Sequence, residues 1–431
     1  MKILWMTNYP LPRIAEKVGL PITVNEGWLI GLSENLISQG YDLVFCTVID
    51  GRQKELFYQE ENYAFYGIPN KHNHRYNDQL QLKLKNVLET ERPNIVHIMG
   101  TEFPHSYSMW QACQKCGMGN QCVVSIQGLI SKIALAYDAG IEEKSKKKRL
   151  LWDILVKDSI LKNKEDFVIR GKYERKLLSE IKNIIGRTEW DFLCVRELNQ
   201  TAKYFKCNET LREVFYRNEW EYENCEKHSI IISQATYPVK GFHILLKAAA
   251  QLKRTYTDLK IYVPSQTCYP NAMKRNKWLN NDYTNYIVSL IKENKLEDNI
   301  IFLGCLDAEN MCKAYLKSNV FVCPSTIENS SNSLGEAMLL GMPIVASYVG
   351  GLPSMMEHGN EGYFFPFNQP YTLAGYIDIL FRNEEKSIEL GKKANRRAIK
   401  THDATINIRE LLRCYEEVKR GKDEFSGFSG G

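Results

Sequence analysis

The sequence predicts an α/β protein of two domains, each a parallel sheet covered by helices, and three observations carry that prediction. Short apolar runs recur along the chain, each ending in small or polar residues. In the first half they are Ile3–Met6, Leu43–Val48, Ile95–Met99, Val123–Ile126 and Ile184–Gly186. In the second they are Ile230–Ser233, Lys260–Val263, Ile300–Leu303, Val320–Cys323 and Ile344–Ser347. Strand-length runs alternating with helical patterns indicate parallel βαβ units, and near-continuous apolar strands suit a sheet buried on both faces. The intervening segments show the helical period. After Lys240-Gly241, residues Phe242, Leu245, Leu246, Ala249 and Leu252 form one stripe, and Tyr286, Ile287, Leu290 and Ile291 repeat it. Finally, 431 residues exceed what one core serves, and chains split into domains beyond roughly 250–300 residues.

The expected organisation is a first domain over 1–205, a second over 226–395, a helix over 396–422 packing back on the first domain, and a flexible tail over 423–431. The boundary falls between Thr201 and Lys227, where the acidic, aperiodic stretch Asn218–Asn224 reads as a linker. One segment breaks the strand–helix rhythm: 132–180 is helical and charged, with five basic residues in the six from Lys144 to Arg149.

Composition narrows the function classes. Hydrophobic residues at 44% and charged residues at 25% are those of an ordinary globular chain, which excludes a disordered, collagen-like or coiled-coil protein. A net charge of +5 is too small to argue for nucleic acid and leaves room for one local basic patch. The 12 cysteines, scattered from Cys46 to Cys414, read as reduced thiols of a cytoplasmic protein. The apolar run Met1–Met6 is too short for a signal peptide, and no stretch reaches the ~18 apolar residues of a membrane span.

The most informative stretch runs from Cys323 to Ala337, following a buried strand and opening a helix that stops at Gly341-Met342-Pro343. The loop Asn329–Ser333 therefore sits at a helix N-terminus, where unpaired N–H groups and the dipole attract phosphate. Glu328 stands at the loop entrance, and Glu336 lies in the first turns of the helix, where a carboxylate can accept hydrogen bonds from vicinal sugar hydroxyls.

Two carboxylates with seven residues between them, followed by Ala337–Ser347 and Gly350-Gly351, resemble the E-x(7)-E signature of retaining glycosyltransferase family 4. The resemblance implies the GT-B fold: two facing Rossmann-like domains with the active site in the cleft. It implies that Glu328 contacts the transferred sugar, that Glu336 contacts the nucleotide ribose, and that amides near Asn332, Ser333 and Leu334 contact donor sugar and diphosphate. A second match is Ser233-Gln234-Ala235-Thr236-Tyr237-Pro238-Val239-Lys240-Gly241, directly after the first strand of the second domain. The family has a Lys-Gly there whose lysine, here Lys240, binds the diphosphate. Such a fixed cation stabilises the charge that develops on the leaving group without metal. The arginine usual a few residues earlier is missing, its place lying within Gln234–Tyr237, and Arg187 is the candidate substitute.

The first domain is expected to hold the acceptor. Many relatives have a histidine after the strand matching Val123–Ile126, and here Gln127 stands in its place. A retaining mechanism tolerates that loss, because the departing diphosphate oxygen can take the acceptor proton. Thr101, Glu102 and His105 follow another strand and are the other acceptor-side candidates, since loops at the carboxyl ends of parallel strands line the crevice. His97 reads as a core histidine, and Gly27-Trp28 as either pocket wall or core. Cys113, Cys116 and Cys122 make half of a zinc pattern without a second pair, so no metal is expected.

The expected function is therefore a retaining, metal-independent glycosyltransferase, without cofactor, using a nucleoside-diphosphate sugar of UDP or GDP type. Its acceptor would be a glycan or a polyprenol-linked sugar. The wording of Ile185–Asp191 and Cys207–Arg212 resembles bacterial polysaccharide-assembly members, which implies surface polysaccharide biosynthesis in the cytoplasm. Lys144–Arg149 offers a peripheral contact with the inner face of the membrane, against the simpler reading of a solvated charged helix. A sugar-nucleotide epimerase of the same architecture and a non-catalytic nucleotide-sugar-binding protein remain as alternatives. No G-x-G-x-x-G follows a strand, which argues against a nicotinamide dehydrogenase.

Overall fold

The structure is a computed structural model; it describes residues 1–22, 27–71, 75–146, 159–265, 269–274 and 280–426. The chain forms two compact units, one of Met1–Ser131, Asp166–Thr210 and His402–Gly431, the other of Lys132–Glu165 and Leu211–Thr401. The segment expected as an insertion in the first domain is thus divided between the two units at Glu165.

The first unit is built on β1 (Lys2–Thr7), β2 (Asp42–Asp50), β3 (Leu56–Gln59), β4 (Tyr63–Asn70), β5 (Ile95–Met99), β6 (Cys122–Ser125), β7 (Asn183–Gly186) and β8 (Lys203–Lys206). Among the described residues their order is β3-β4-β2-β1-β5-β6-β7-β8. All neighbours run parallel except β3 against β4. The second unit carries β9 (Glu226–Ile232), β10 (Lys260–Pro264), β11 (Ile300–Gly304), β12 (Ser318–Cys323), β13 (Ile344–Ser347) and β14 (Tyr363–Phe365) in the parallel order β11-β10-β9-β12-β13-β14. In each sheet the first strand lies at the point where strand order reverses. Ligands of doubly wound sheets bind beyond the carboxyl ends of strands at that point. The loops after β1 and β5, and those after β9 and β12, are therefore the places to look for a site.

Strands β5, β6, β7, β12 and β13 are buried along their whole length, which their mostly apolar sequences suit. The final helix, Ala404–Ser426, is tied to the sheet of the first unit by polar contacts as well as packing. Tyr415 Oη accepts from Trp5 Nε1 at 3.1 Å and bonds His97 Nδ1 at 2.7 Å, while His97 Nε2 bonds Ser125 Oγ at 2.7 Å. Burial lowers the His97 pKa to about 3, so the ring is a neutral core group. The helix also takes in Asp423–Ser426, the start of the expected tail.

The stretch expected as a linker is partly core. Trp220 is 5% exposed, its backbone N–H bonds Leu340 O at 2.7 Å, and its Nε1 donates to Ser318 O at 2.8 Å. Its flanking glutamates hid this, because one anchoring ring leaves no periodicity. Trp220→Ala is expected to destabilise the protein by about 3–5 kcal/mol, read as a fall of the thermal midpoint, where a true linker would show no change.

Candidate active site

In the second unit the loop after β9 holds Ser233 and Gln234, both half-buried, and ends in a short turn, Pro238–Lys240. Gly241 follows with φ 69°, and a Cβ there would lie 1.8 Å from Pro324 O. Only glycine permits this backbone-on-backbone approach of the loops after β9 and β12. The approach is fixed further by Thr326 N–H donating to Val239 O at 2.8 Å. Gly350 repeats the device: at φ 51°, a Cβ would fall 2.0 Å from Glu328 O, and Gly351 N–H donates to that same oxygen at 3.0 Å. Ser347 Oγ donates to Ser325 O at 2.5 Å. The Glu328 main chain is thereby held from two directions.

Its side chain meets Lys240. Lys240 Nζ donates to Glu328 Oε2 at 2.9 Å, and Ser325 Oγ donates to the same oxygen at 3.1 Å. Burial works against the lysine charge, but the Glu328 carboxylate more than offsets it, and the ammonium is held well above the usual lysine range. Beyond the loop, Asn332–Leu340 is helical, with Ser331 as N-cap accepting from Leu334 N–H at 3.3 Å and Gly341 ending the helix at φ 76°. Asn332, Ser333 and Leu334 thus occupy the first turn, where backbone N–H groups have no partner within the helix.

Glu336 is 3% exposed and is bound by an arginine that the sequence reading did not single out. Arg212 Nε and Nη2 donate to its two oxygens at 2.6 and 2.7 Å, and the guanidinium lies over the Phe215 ring at 4.9 Å. Burial pushes the Glu336 carboxyl up against the opposing pull of Arg212, and the pair raises Arg212 in turn. A bidentate fork fixes the carboxylate in angle as well as position.

The first-unit candidates fall into three groups. Thr101 Oγ1 donates to Glu174 Oε2 at 3.0 Å. Glu174 also accepts from Ile130 N–H at 2.6 Å, Ser131 N–H at 2.9 Å and Ser131 Oγ at 2.5 Å, and burial raises its pKa to about 7. Glu102 accepts from Asn8 Nδ2 at 3.2 Å and Gly128 N–H at 3.1 Å, and His105 Nε2 bonds Asn8 Oδ1 at 3.0 Å. Burial raises the Glu102 carboxyl and lowers His105 to about 3, with Arg170 adding to the latter. Gln127 and Arg187 form the third group with Glu209. Arg187 Nη1 pairs with Glu209 Oε2 at 2.8 Å, Arg187 Nη2 donates to Gln127 Oε1 at 3.2 Å, and Gln127 Nε2 donates to Glu209 Oε1 at 2.6 Å.

Asn8, Arg170, Glu174, Glu209 and Arg212 were not singled out in the sequence; each acts through a partner tens of residues away or more. Lys147, Lys148 and Arg149 of the basic segment, and the Trp28 side chain, lie outside the described residues. Of the same segment, Lys144 pairs with Glu142, and Lys146 with Asp138 and Glu143. The described cysteines are free thiols. Among the described residues no three His, Cys, Asp or Glu side chains are grouped to hold a metal, and no helix is long and apolar enough to cross a membrane.

Residues 218–397 match the family model described as glycosyl transferases group 1. Spore coat protein SA of Bacillus subtilis is 30% identical over 184 residues, covering 42% of this chain and 46% of that protein. The N-acetyl-alpha-D-glucosaminyl L-malate synthase of Bacillus anthracis is 27% identical over 134 residues, covering 31% of this chain and 35% of that protein. The chain thus spans less than half the length of these curated relatives. Among solved structures, sucrose-phosphate synthase from Thermosynechococcus elongatus superposes with a TM-score of 0.71 at 16% identity, over 98% of this chain and 100% of that one. HepE of Anabaena, in complex with UDP-glucose, gives 0.65 at 16% identity over 96% and 99%. At such identities the likeness speaks for the fold alone. The Glu328 and Glu336 pair lies inside the matched stretch, so residues 218–397 are similar to the group 1 glycosyltransferases, and the fold is the GT-B fold of two Rossmann-like domains.

Proposed function

We propose that the protein is a retaining, metal-independent glycosyltransferase without cofactor. It moves a sugar from a nucleoside-diphosphate sugar of UDP or GDP type to a hydroxyl of a glycan or polyprenol-linked acceptor. The setting is surface polysaccharide assembly in the cytoplasm, with the basic segment at the inner face of the membrane. The observation that carries the reading is the half-buried Lys240–Glu328 pair at 2.9 Å, set between the loops after β9 and β12 and beside a helix N-terminus. Solved structures of similar fold in complex with UDP or UDP-glucose support a nucleotide-sugar donor.

In this reading the first-turn amides of Asn332, Ser333 and Leu334 receive the donor sugar and diphosphate, with Ser233 and Gln234 across the donor site. Glu336, clamped by Arg212, accepts from the ribose hydroxyls. Glu328 meets the transferred sugar and Lys240 the diphosphate, so a carboxylate and an ammonium stand on either side of the bond that breaks. As the bond from the anomeric carbon to the phosphate oxygen opens, its electron pair stays on the diphosphate, where Lys240 stabilises it. The acceptor oxygen bonds the anomeric carbon on the same face and releases its proton to that phosphate oxygen. No side-chain base is needed, which agrees with Gln127 standing where many relatives have histidine.

A thermal-shift panel of UDP, GDP, ADP, TDP and NAD tests the donor. A ligand at about 100 times its Kd stabilises by about 2.7 kcal/mol, a shift of several degrees, expected with UDP; a shift with NAD alone would overturn the reading. Lys240→Ala is expected to lower kcat by about 100- to 1,000-fold, the scale for one preorganised charge-stabilising group. Glu328→Ala should lose turnover of UDP-sugar while keeping the UDP thermal shift, whereas a binding protein would have no turnover to lose. Arg187, the expected second cation, is committed to Glu209 and Gln127. Arg187→Ala is expected to cost about 3–5 kcal/mol of unfolding free energy by stranding Glu209, and donor turnover surviving in the folded variant would remove Arg187 from the chemistry.

A further inference from the structure

The first unit contains a cavity of about 820 Å³ beyond the carboxyl ends of β1, β2 and β5. Asn8, Asp50, Arg52, Phe103, His105 and Arg170 are among its lining residues. Its charges are not equivalent. Arg52 is answered locally: its Nε reaches both Asp50 oxygens at 3.1 Å and its Nη2 reaches Oδ2 at 2.5 Å. His105 is held neutral by burial. Arg170 is different.

Arg170 is 8% exposed. Its Nε donates to the main-chain oxygen of Glu102 at 2.8 Å, and its guanidinium lies between the Phe103 and Phe167 rings at 4.5 and 4.6 Å. These contacts fix the plane of the group but use one of its five N–H donors. Among the described residues no carboxylate lies within ion-pair distance of it. Glu102 turns its oxygens to Asn8 Nδ2 and Gly128 N–H instead. Burial lowers the Arg170 pKa against the opposing field of Glu102, Asp166 and Glu174, so the charge is only partly compensated, and an under-compensated buried charge is costly. A guanidinium braced by two rings and lining a cavity is preorganised for a planar or tetrahedral anion taken through two parallel N–H bonds.

The neighbouring groups suit the rest of such a ligand. With Nε2–H donating to Asn8 Oδ1, the neutral His105 ring keeps Nδ1 as an acceptor for a hydroxyl. Phe103 stacks on His105 at 5.3 Å and lines the cavity beside the cation. We propose that this cavity binds a hydroxyl-bearing acceptor through an anionic group, a carboxylate or phosphate, seated on the terminal nitrogens of Arg170. The proposal rests on the glycosyltransferase reading and names the acceptor's chemical class. A free acid and a lipid-linked phosphate present the same group.

The test is calorimetric binding to the full chain, without turnover. The probes are glucose 6-phosphate, L-malate and detergent-dispersed farnesyl phosphate, each against neutral glucose and cellobiose, with UDP titrated in parallel. At least one anion is expected to bind 10- to 100-fold more tightly than the neutral sugars, the scale of one charge-assisted pair, and to weaken with added salt. Tight binding by glucose 6-phosphate or malate assigns a soluble acceptor, and by farnesyl phosphate alone a lipid-linked one. Arg170→Gln is expected to abolish the preference while leaving the UDP affinity unchanged. Arg170→Lys, which keeps the charge and loses the fork, should retain a salt-sensitive remnant. Arg413→Gln, which removes an exposed charge from the final helix, should change nothing. Equal affinity for neutral and anionic probes, silence from all three anions, or an anion preference surviving in Arg170→Gln overturns the proposal. Loss of UDP binding in the unaltered chain would instead count against the donor reading and leaves the anion comparison to be decided on its own titration.

Discussion

A half-buried ammonium and its carboxylate set the architecture of the second unit's loops. Lys240 is largely withdrawn from solvent, and its charge is held there because Glu328 stands 2.9 Å away. That separation depends on placing the ends of two loops against each other to within a few tenths of an ångström. Side chains interposed between the loops would prevent it. The two glycines in left-handed conformation, Gly241 and Gly350, remove them at the two points where one backbone meets another. The position of the pair is thus written in the backbone, and the electrostatics follow from it. A pair so held is preorganised, and preorganised charge is what stabilises a developing anion without reorganisation cost.

Much of this was legible before the structure. The central strands are short, apolar and closed by small residues, and burial on both faces leaves that mark in any sequence. The Lys240-Gly241 and Glu328–Glu336 patterns are local, and local patterns survive in a linear text. The edges were less readable. β3 is Leu-Phe-Tyr-Gln with every second residue exposed, its neighbour β4 is interrupted by Gly67 and Pro69, and β8 is Lys-Tyr-Phe-Lys, half solvated at the rim of its sheet. Edge strands need no continuous apolar run, so their sequences carry a weaker signal. Trp220 was hidden for a different reason, because a single anchor among glutamates has no period.

The partners of the site residues were the least legible. Arg212 and Glu336 are 124 positions apart, and no spacing rule joins them. The same holds for Thr101 with Glu174 and for Arg187 with Glu209, where a buried charge or hydroxyl is satisfied only by the tertiary fold. Motif reading finds groups that act at a reaction centre, since these cluster on one loop. It does not find the groups that orient them, since those come from whichever element packs alongside. Arg212 belongs to the second kind: it touches Glu336 with both nitrogens and fixes a carboxylate whose own burial would otherwise favour the neutral acid.

One buried charge is handled differently from the rest, the Arg187–Glu209 pair of the first unit included, and that contrast bears on what the first unit recognises. In the second unit the named ionic groups are already matched, Lys240 with Glu328 and Arg212 with Glu336. A ligand arriving there meets charges already held in place by their partners, which suits a donor whose charge changes during reaction. In the first unit Glu174 is saturated by four donors and braces the Ile130–Ser131 turn, so it has nothing left to offer a ligand. Among the described residues Arg170, braced just as firmly by Phe103 and Phe167, has no ion-pair partner, only the field of Glu102, Asp166 and Glu174. Rigid support of an under-compensated charge does little for the free protein. It makes physical sense where the missing charge arrives from outside the chain.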